Sequence, residues 1–484
     1  MRILLINPPY QTFTCNLGVG HHVPLGLLMV GGPLVDAGHE VTLLDAEVRR
    51  LSDRRIVAAV QAAQPDVVMT GHSGSTPAHP TAMRMLRSIR TVCPQVRTVY
   101  GGVHPTFHAQ AILEAEPAVD VIVRGEGELT ALELVDALQQ GCDLSTVPSL
   151  AFRTGDRVVL TRERAPLDNL DDFRVGWELV EEWRLYRTLD FGTSAVVQWS
   201  RGCPHLCTYC GQRTFWRTWR HRDAKRVVDD IELLHRRYGV RFLHLGDDDP
   251  AADQAAWLGF LEELAARKLP VFLHATTRAD EVVRDAEHLP LYRRAGVLYI
   301  LLGMESTDGD VLEAVRKRSS LEADALAPTL MREAGIFSVV GQVVGLREET
   351  WAGFDAALRQ LIRYDSDWVN VMYATPHAWS EFGDAAAPQA EPDLSKWDYR
   401  HPVVRQGGLK PWQLVLAAKW LELRYHARPS KLWRILTTRD PFYRKELLCA
   451  LSHTTPIWWA ELFESLGWAL FRAGRGPVAA GEER

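Results

Sequence analysis

The sequence predicts an α/β protein in three parts: a doubly wound parallel sheet, a partial (β/α)6 barrel, and a small helical C-terminal region. Three observations predict it. Short apolar runs alternate with helical stretches over the first 140 residues. A second alternation begins just after a loop holding three closely spaced cysteines. The last hundred residues read as helices and carry the densest tryptophans of a chain that has 16. With 484 residues, several domains are expected. They are set at 1–140, a connector at 141–190, 191–385 and 386–484.

In the first part, Ile3 to Ile6, Val41 to Leu44, Val67 to Thr70, Thr98 to Tyr100 and Val119 to Val123 read as buried strands. Leu25 to Ala37, Arg54 to Ala63, Pro80 to Thr91 and Ala109 to Glu114 read as the helices between them. Ligands of such sheets bind beyond the carboxyl ends of the strands. Those ends carry Asn7 and Pro8; Ser73, Ser75 and Thr76; Gly101, Gly102 and Val103; and Gly125, Glu126 and Gly127. Glycines admit a close ligand, and hydroxyls bond a polar rim. No G-x-G-x-x-G opens the first turn, which argues against a nicotinamide cofactor.

The connector holds a hairpin, Val147 to Arg153 returning through Val158 to Leu160, then a polar link, then a short helix over Trp177 to Tyr186. The barrel follows, with helices over Ala224 to Tyr238 and Trp257 to Arg267. Its strands are Val240 to Leu245, Val271 to Thr276, Val297 to Leu302, Ser338 to Val344 and Trp368 to Met372. In barrels of this kind, catalytic residues sit at strand ends. In the tail, Trp412 to His426, Ser430 to Thr437, Tyr443 to Leu451, and Ile457 through Phe471 read as separate helices, with disorder from Ala473 onward.

Cys203, Cys207 and Cys210 read C-x3-C-x2-C. Three thiolates at this spacing can hold three irons of a 4Fe-4S cluster and leave the fourth iron open. A structural zinc site wants a second cysteine pair, which is missing. A disulfide with one spare thiol is the other alternative. Net charge is −6, with no run of apolar residues long enough to span a membrane. The expectation is a cytoplasmic protein with no nucleic-acid partner.

The cysteine loop, with Tyr209 before its last cysteine, resembles the signature of radical S-adenosylmethionine enzymes. The resemblance implies that the open iron takes the amino and carboxylate groups of S-adenosylmethionine, which is cleaved to a 5′-deoxyadenosyl radical. Beside Tyr209, it implies S-adenosylmethionine contacts at Gly246, Asp247 and Asp248, at Arg278 for the methionine carboxylate, at Glu305, and at Gly345 near adenine. The strand-end loops of the first part resemble a Rossmann-like cobalamin-binding domain. Cobalamin is expected there without a lower histidine, because no D-x-H-x-x-G occurs although His21, His22, His72 and His104 are available.

Phe215-Trp216-Arg217 and Arg220-His221-Arg222-Asp223, together with Gly101 to Phe107 and Val123 to Glu128, resemble the anaerobic magnesium-protoporphyrin IX monomethyl ester cyclases. The resemblance implies an oxygen-independent oxidation that builds the isocyclic ring of bacteriochlorophyll with oxygen from water. It also implies a magnesium porphyrin substrate and an electron donor such as flavodoxin or ferredoxin. The alternative is a cobalamin-dependent radical C-methyltransferase acting on a tetrapyrrole or other natural product. A methylthiotransferase would need a second cluster, for which Cys15, Cys93 and Cys142 are the candidates. For the tryptophan-rich helix, packing onto the barrel competes with peripheral membrane contact.

Overall fold

The computed structural model describes residues 1–12, 19–405, 407–438 and 440–473. Cys15 and the tail beyond Ala473 therefore lie outside the described residues. The described chain forms two units, Met1–Pro204 with Gln212–Leu273, and His205–Gly211 with His274 onward.

The first unit begins β1 (Arg2–Asn7), α1 (Leu25–Asp36), β2 (Glu40–Asp45), α2 (Asp53–Ala63), β3 (Val67–Thr70), α3 (His79–Val92), β4 (Arg97–Gly101) and β5 (Val121–Val123). These strands pair in parallel in the order β2-β1-β3-β4-β5. Every residue of β3 and β5 is buried, as parallel strands covered on both faces require. Leu4, Ile6, Val68, Met85, Leu86, Ile89 and Ile122 build one core under α2 and α3. The hairpin continues the same sheet: Leu150–Thr154 runs antiparallel to β5 and to Arg157–Leu160.

The expected helix over Trp177 to Tyr186 is instead two 3-10 turns, Trp177–Leu179 and Trp183–Leu185. Trp177, Leu179, Val180, Trp183 and Tyr186 are all buried. Their spacing also fits one broad helical face, so the two tight turns come from how this segment packs and not from its periodicity. Gly32 makes room for the connector, since a Cβ there would meet the Arg174 carbonyl at 2.2 Å.

Further on, the unit holds β6 (Gly192–Val197) parallel to β7 (Phe242–Leu245), with α4 (Ala224–Tyr238) between them. Asp223 caps α4 by accepting from the Arg226 amide, and Gly239 at φ +69° closes it. Val227, Val228, Ile231 and Leu234 form its buried stripe.

In the second unit, β8 (Val297–Glu305), β9 (Phe337–Val344) and β10 (Trp368–Tyr373) pair in parallel. Helices Leu321–Glu333 and Trp351–Tyr364 connect them. The tail forms α5 (Pro411–His426), α6 (Pro429–Thr437) and α7 (Pro441–Ala473). The two last helices expected from sequence are thus one, running through Pro456. That proline removes one hydrogen bond, but α7 is anchored on both sides of it. Tyr443 and Leu447 pack with Phe337, while Glu461 pairs with Lys419 at 2.9 Å and with Arg400 at 2.9 Å.

Candidate active site

The ends of β1, β2 and β3 carry a buried polar network. The Asn7 amide donates to Asp45 at 2.9 Å and to Glu47 at 3.2 Å. The Tyr186 hydroxyl donates to Asp45 at 2.7 Å. His72 lies with Nε2 3.0 Å from Glu47, and its Nδ1 accepts from the Gly74 amide at 2.8 Å. The Nδ1 acceptor role leaves the proton on Nε2, aimed at Glu47. Burial pushes the Asp45 carboxyl up. Burial also works against Glu47, but the hydrogen bonds from His72, the Thr12 amide and Asn7 outweigh it and hold Glu47 below its usual range. Asn7 is therefore occupied in holding two carboxylates.

Around this network the strand ends form an open rim. Ser75, at φ +53°, has a buried hydroxyl with no hydrogen-bond partner among the described residues. Gly102 (φ +111°) and Gly125 (φ +71°) face open space where a Cβ would stand. Ser73 is exposed beside them, with Gly101 and Val103 half-buried and Pro8 buried. Thr76 differs, since its hydroxyl lies 3.1 Å from His104 Nδ1. A Cβ at Gly127 would meet Val30 at 3.1 Å, so that glycine serves packing.

Glu126 turns away from the rim. Arg220 donates to its two oxygens at 2.8 and 3.1 Å, and Arg201 lies 3.2 Å from it. Arg201 also pairs with Glu128 and bonds Gln198 at 2.8 Å. All four charged groups are nearly excluded from solvent, so each depends on the others for compensation.

Two residues beyond Arg201, Cys203 Sγ stands 3.6 Å from an Asp249 oxygen. At the end of β7, the Asp247 carboxylate accepts from the Ser200 hydroxyl at 2.7 Å and from the Trp199 amide at 3.2 Å. Burial lifts it to about 7. It holds the turn before the cluster loop. Asp248, also raised to about 7 by burial, keeps a buried oxygen without a hydrogen-bond partner among the described residues. Of the two acids, Asp248 has the capacity left for an ammonium. Gly246 packs tightly, with Val196 3.0 Å from a Cβ built there.

In the second unit, Cys207 is buried and Cys210 half-buried. Their loop is docked by backbone: the Thr208 amide donates to the Val315 carbonyl at 3.1 Å, and the Phe382 amide donates to the Thr208 carbonyl at 3.1 Å. Tyr209 is half-buried, and burial of its hydroxyl together with the charge and hydrogen bond of Glu305 raises that hydroxyl well above the usual range. Glu305 ends β8 at φ +65°, where the pairing with β9 shifts register. Lys317 reaches the same carboxylate at 3.2 Å, both side chains being nearly buried. Arg278 donates to the Lys317 carbonyl at 2.8 Å, to the Arg318 carbonyl at 2.9 Å and twice to Asp280 at 2.9 Å. It pins the turn that carries Lys317. The Gly345 amide donates to Glu349 at 2.9 Å, at φ +87°.

Sequence reasoning missed Lys317, which sits in a run of basic residues that reads as surface. It also missed Trp379, His377 and Tyr399 beside the loop. Trp379 donates to the Gly211 carbonyl at 2.9 Å, His377 stacks on Trp379 at 4.9 Å, and Tyr399 lies 2.7 Å from His377 Nε2. They stand singly in a loop with no motif spacing, so no sequence signal marks them. The candidates for a second cluster fail to share a setting: Cys93 is a core residue and Cys142 is exposed.

The residues present fit three cofactors. The thiols at Cys203, Cys207 and Cys210 suit an iron–sulfur cluster. The unpartnered Ser75 hydroxyl and open glycines suit a bulky polar-edged corrinoid. The Asp248 oxygen suits a cationic amine. The chain matches the B12 binding domain over residues 17–135 and the Radical SAM superfamily over 197–361. A structure of the cobalamin-dependent S-adenosylmethionine radical enzyme OxsB, with aqua-cobalamin and S-adenosylmethionine bound, has the same fold. It aligns with a TM-score of 0.69 at 16% identity, covering 95% of this chain and 72% of that one. Fold and site thus define a cobalamin-dependent radical S-adenosylmethionine enzyme, with a parallel-sheet B12 domain, a radical SAM half-barrel and a helical C-terminal region. The chain is 44% identical to the anaerobic magnesium-protoporphyrin IX monomethyl ester cyclase of Synechocystis sp., over 90% of this chain and 88% of that one. It is 32% identical to that of Rubrivivax gelatinosus, over 86% and 75%. It belongs to the family of anaerobic magnesium-protoporphyrin IX monomethyl ester cyclases.

Proposed function

We propose that the protein closes the isocyclic ring of magnesium-protoporphyrin IX monomethyl ester without dioxygen, taking the new oxygen from water. The 44% identity to a cyclase across nine-tenths of the chain carries this reading. When bound, the cofactors supply a carbon-centred radical that removes hydrogen from the substrate side chain and a redox partner that accepts an electron from the resulting carbon. The chain's own residues hold and aim them. Cys203, Cys207 and Cys210 bind three irons. Asp248, Tyr209, Glu305 and Gly345 bound the S-adenosylmethionine site, with Gly246, Asp247 and Arg278 as positioning residues. Ser73, Ser75, Thr76, Asn7, Pro8 and the glycine loops at 101–103 and 125–127 bound the cobalamin site. A flavodoxin- or ferredoxin-like protein delivers electrons, and α7 meets the membrane surface that holds the pigment precursor.

The test is anaerobic incubation of reconstituted protein with cobalamin, S-adenosylmethionine, reductant and the magnesium porphyrin ester, followed by mass analysis. An isocyclic-ring product is expected. A methylated porphyrin lacking that ring would replace this reading with a methyltransferase.

A further inference from the structure

The first unit contains a cleft beside the β5 loop, which shares Gly125 and Glu126 with the proposed cobalamin loops but is otherwise lined by residues given no role above. It has a volume of ≈ 80 Å³ and is bounded by Thr106, Arg124, Ser149, Glu163, Phe215 and Arg217, among others. Arg124 is almost buried; one guanidinium N–H pair bonds the Thr161 carbonyl, and its Nε has no hydrogen-bond partner among the described residues. Arg217 approaches from the helix after the cysteine loop and bonds Glu163 at 2.5 Å. Glu163 lies 3.8 Å from Arg124. Arg217 holds φ +64°, a conformation glycine adopts at far lower cost. Keeping a long cation in that conformation points to a use for the side chain.

Charge narrows the ligand. Two guanidinium groups face one carboxylate, Glu163, which leaves one positive charge over. The remaining lining charges are satisfied elsewhere: Arg164 pairs with Glu133, and Glu126 with Arg201 and Arg220. Burial lowers the proton affinity of Arg124; the Glu163 charge opposes this and Arg217 adds to it more weakly. With two cations facing one anion, the cleft suits an acidic head group.

We propose that Arg124 and Arg217 bind a monoanionic oxygen head group, the one free propionate of the monomethyl ester substrate, while the macrocycle stays outside the cleft. This rests on the function proposed above. It gives a reason for the enzyme to prefer the monoester, since the diester carries no anion for this site. A cobalamin nucleotide loop carries a phosphodiester of the same charge, and the test separates the two sources.

Full-length, cluster-loaded protein is titrated with the magnesium porphyrin monomethyl ester and with its dimethyl ester, read by porphyrin fluorescence. One charge-assisted contact predicts about tenfold tighter binding of the monoester. Arg217→Met, at a half-exposed side chain, and Arg124→Gln are expected to abolish that preference, leaving dimethyl ester affinity and cobalamin retention unchanged. Arg124→Lys is expected to restore part of it. The inference is overturned if the preference survives in both variants, or if both esters weaken alike. It is also overturned if the variants lose cobalamin but retain cobinamide, which lacks the phosphodiester. Ring product formed without any ester preference defeats this inference alone. Failure of the wild-type protein to bind either ester defeats the substrate reading as well.

Discussion

Trp379 donates its indole N–H to the carbonyl of Gly211 across 2.9 Å, one residue after Cys210. A Cβ at position 211 would stand 2.6 Å from that indole nitrogen. Gly211→Ala must therefore push Trp379 aside and break the bond. Iron retained after anaerobic gel filtration is expected to fall several-fold in Gly211→Ala. Trp379→Phe, which loses only the donor, is expected to fall less.

Each of Cys203→Ala, Cys207→Ala and Cys210→Ala is expected to bring bound iron from about four per chain toward zero. Cys93→Ser is expected to keep it, because Cys93 lies in the sheet core. Iron content and the visible absorption of the cluster read both outcomes.

Lys317 and Glu305 form a nearly buried pair. Removing one partner leaves a buried charge uncompensated, at a cost of roughly 3 kcal/mol. Lys317→Met is expected to lower the thermal midpoint of the cofactor-free protein. The double variant Lys317→Met, Glu305→Gln is expected to regain part of the loss. Equal midpoints for single and double variants would remove the coupling.

His79 sits between Tyr100 at 5.9 Å and His104 at 4.4 Å, with Glu116, Arg87 and His108 nearby, and burial lowers it from 6.5 to about 4. A histidine held neutral by folding contributes stability above pH 6.5, and that stability is lost as pH falls toward 4. The contribution is on the order of 3 kcal/mol. His79→Gln is expected to flatten the fall in thermal midpoint between about pH 6.5 and 4. His22, lowered to about 4 by its own burial, keeps part of the slope.

On α7, Trp459, Phe463 and Leu470 are 50%, 67% and 52% exposed, although Glu461 on the same helix is locked to Lys419. One face of this helix packs, and another keeps apolar side chains exposed; membrane contact through that face is the proposal put to the test. No helix of the described residues is long and apolar enough to cross a membrane. Flotation with anionic liposomes is expected for the full chain and lost in Trp459→Ser, Phe463→Ser. Flotation undiminished by these changes would argue against membrane docking through α7.

Parallel strands buried on both faces announce themselves as short apolar runs, so the sheets were legible from sequence. The cysteine loop was legible because its chemistry demands three thiols at close spacing. Lys317 was not, because a lysine among arginines and serines looks solvated until its carboxylate partner arrives from a strand twelve residues earlier. Asp247 and Arg278 were legible as polar residues near the site, but their engagement with backbone groups depends on how distant turns close. The turns at Trp177 and Trp183, and the passage of α7 through Pro456, were set by what each segment packs against, which local propensity does not contain.

Glu126 stands at the end of the corrinoid-side strand β5, while Arg201 enters the cysteine loop and Arg220 leaves the helix after it. The β5 loop and the start of the cysteine loop are thereby joined within the first unit. Neither loop can be exchanged alone: a graft that brings a foreign cysteine loop without both arginines would strand Glu126 and Glu128 as bare buried charges. Chimeras between members of this class should be cut outside residues 126–220, so that acid and base travel together.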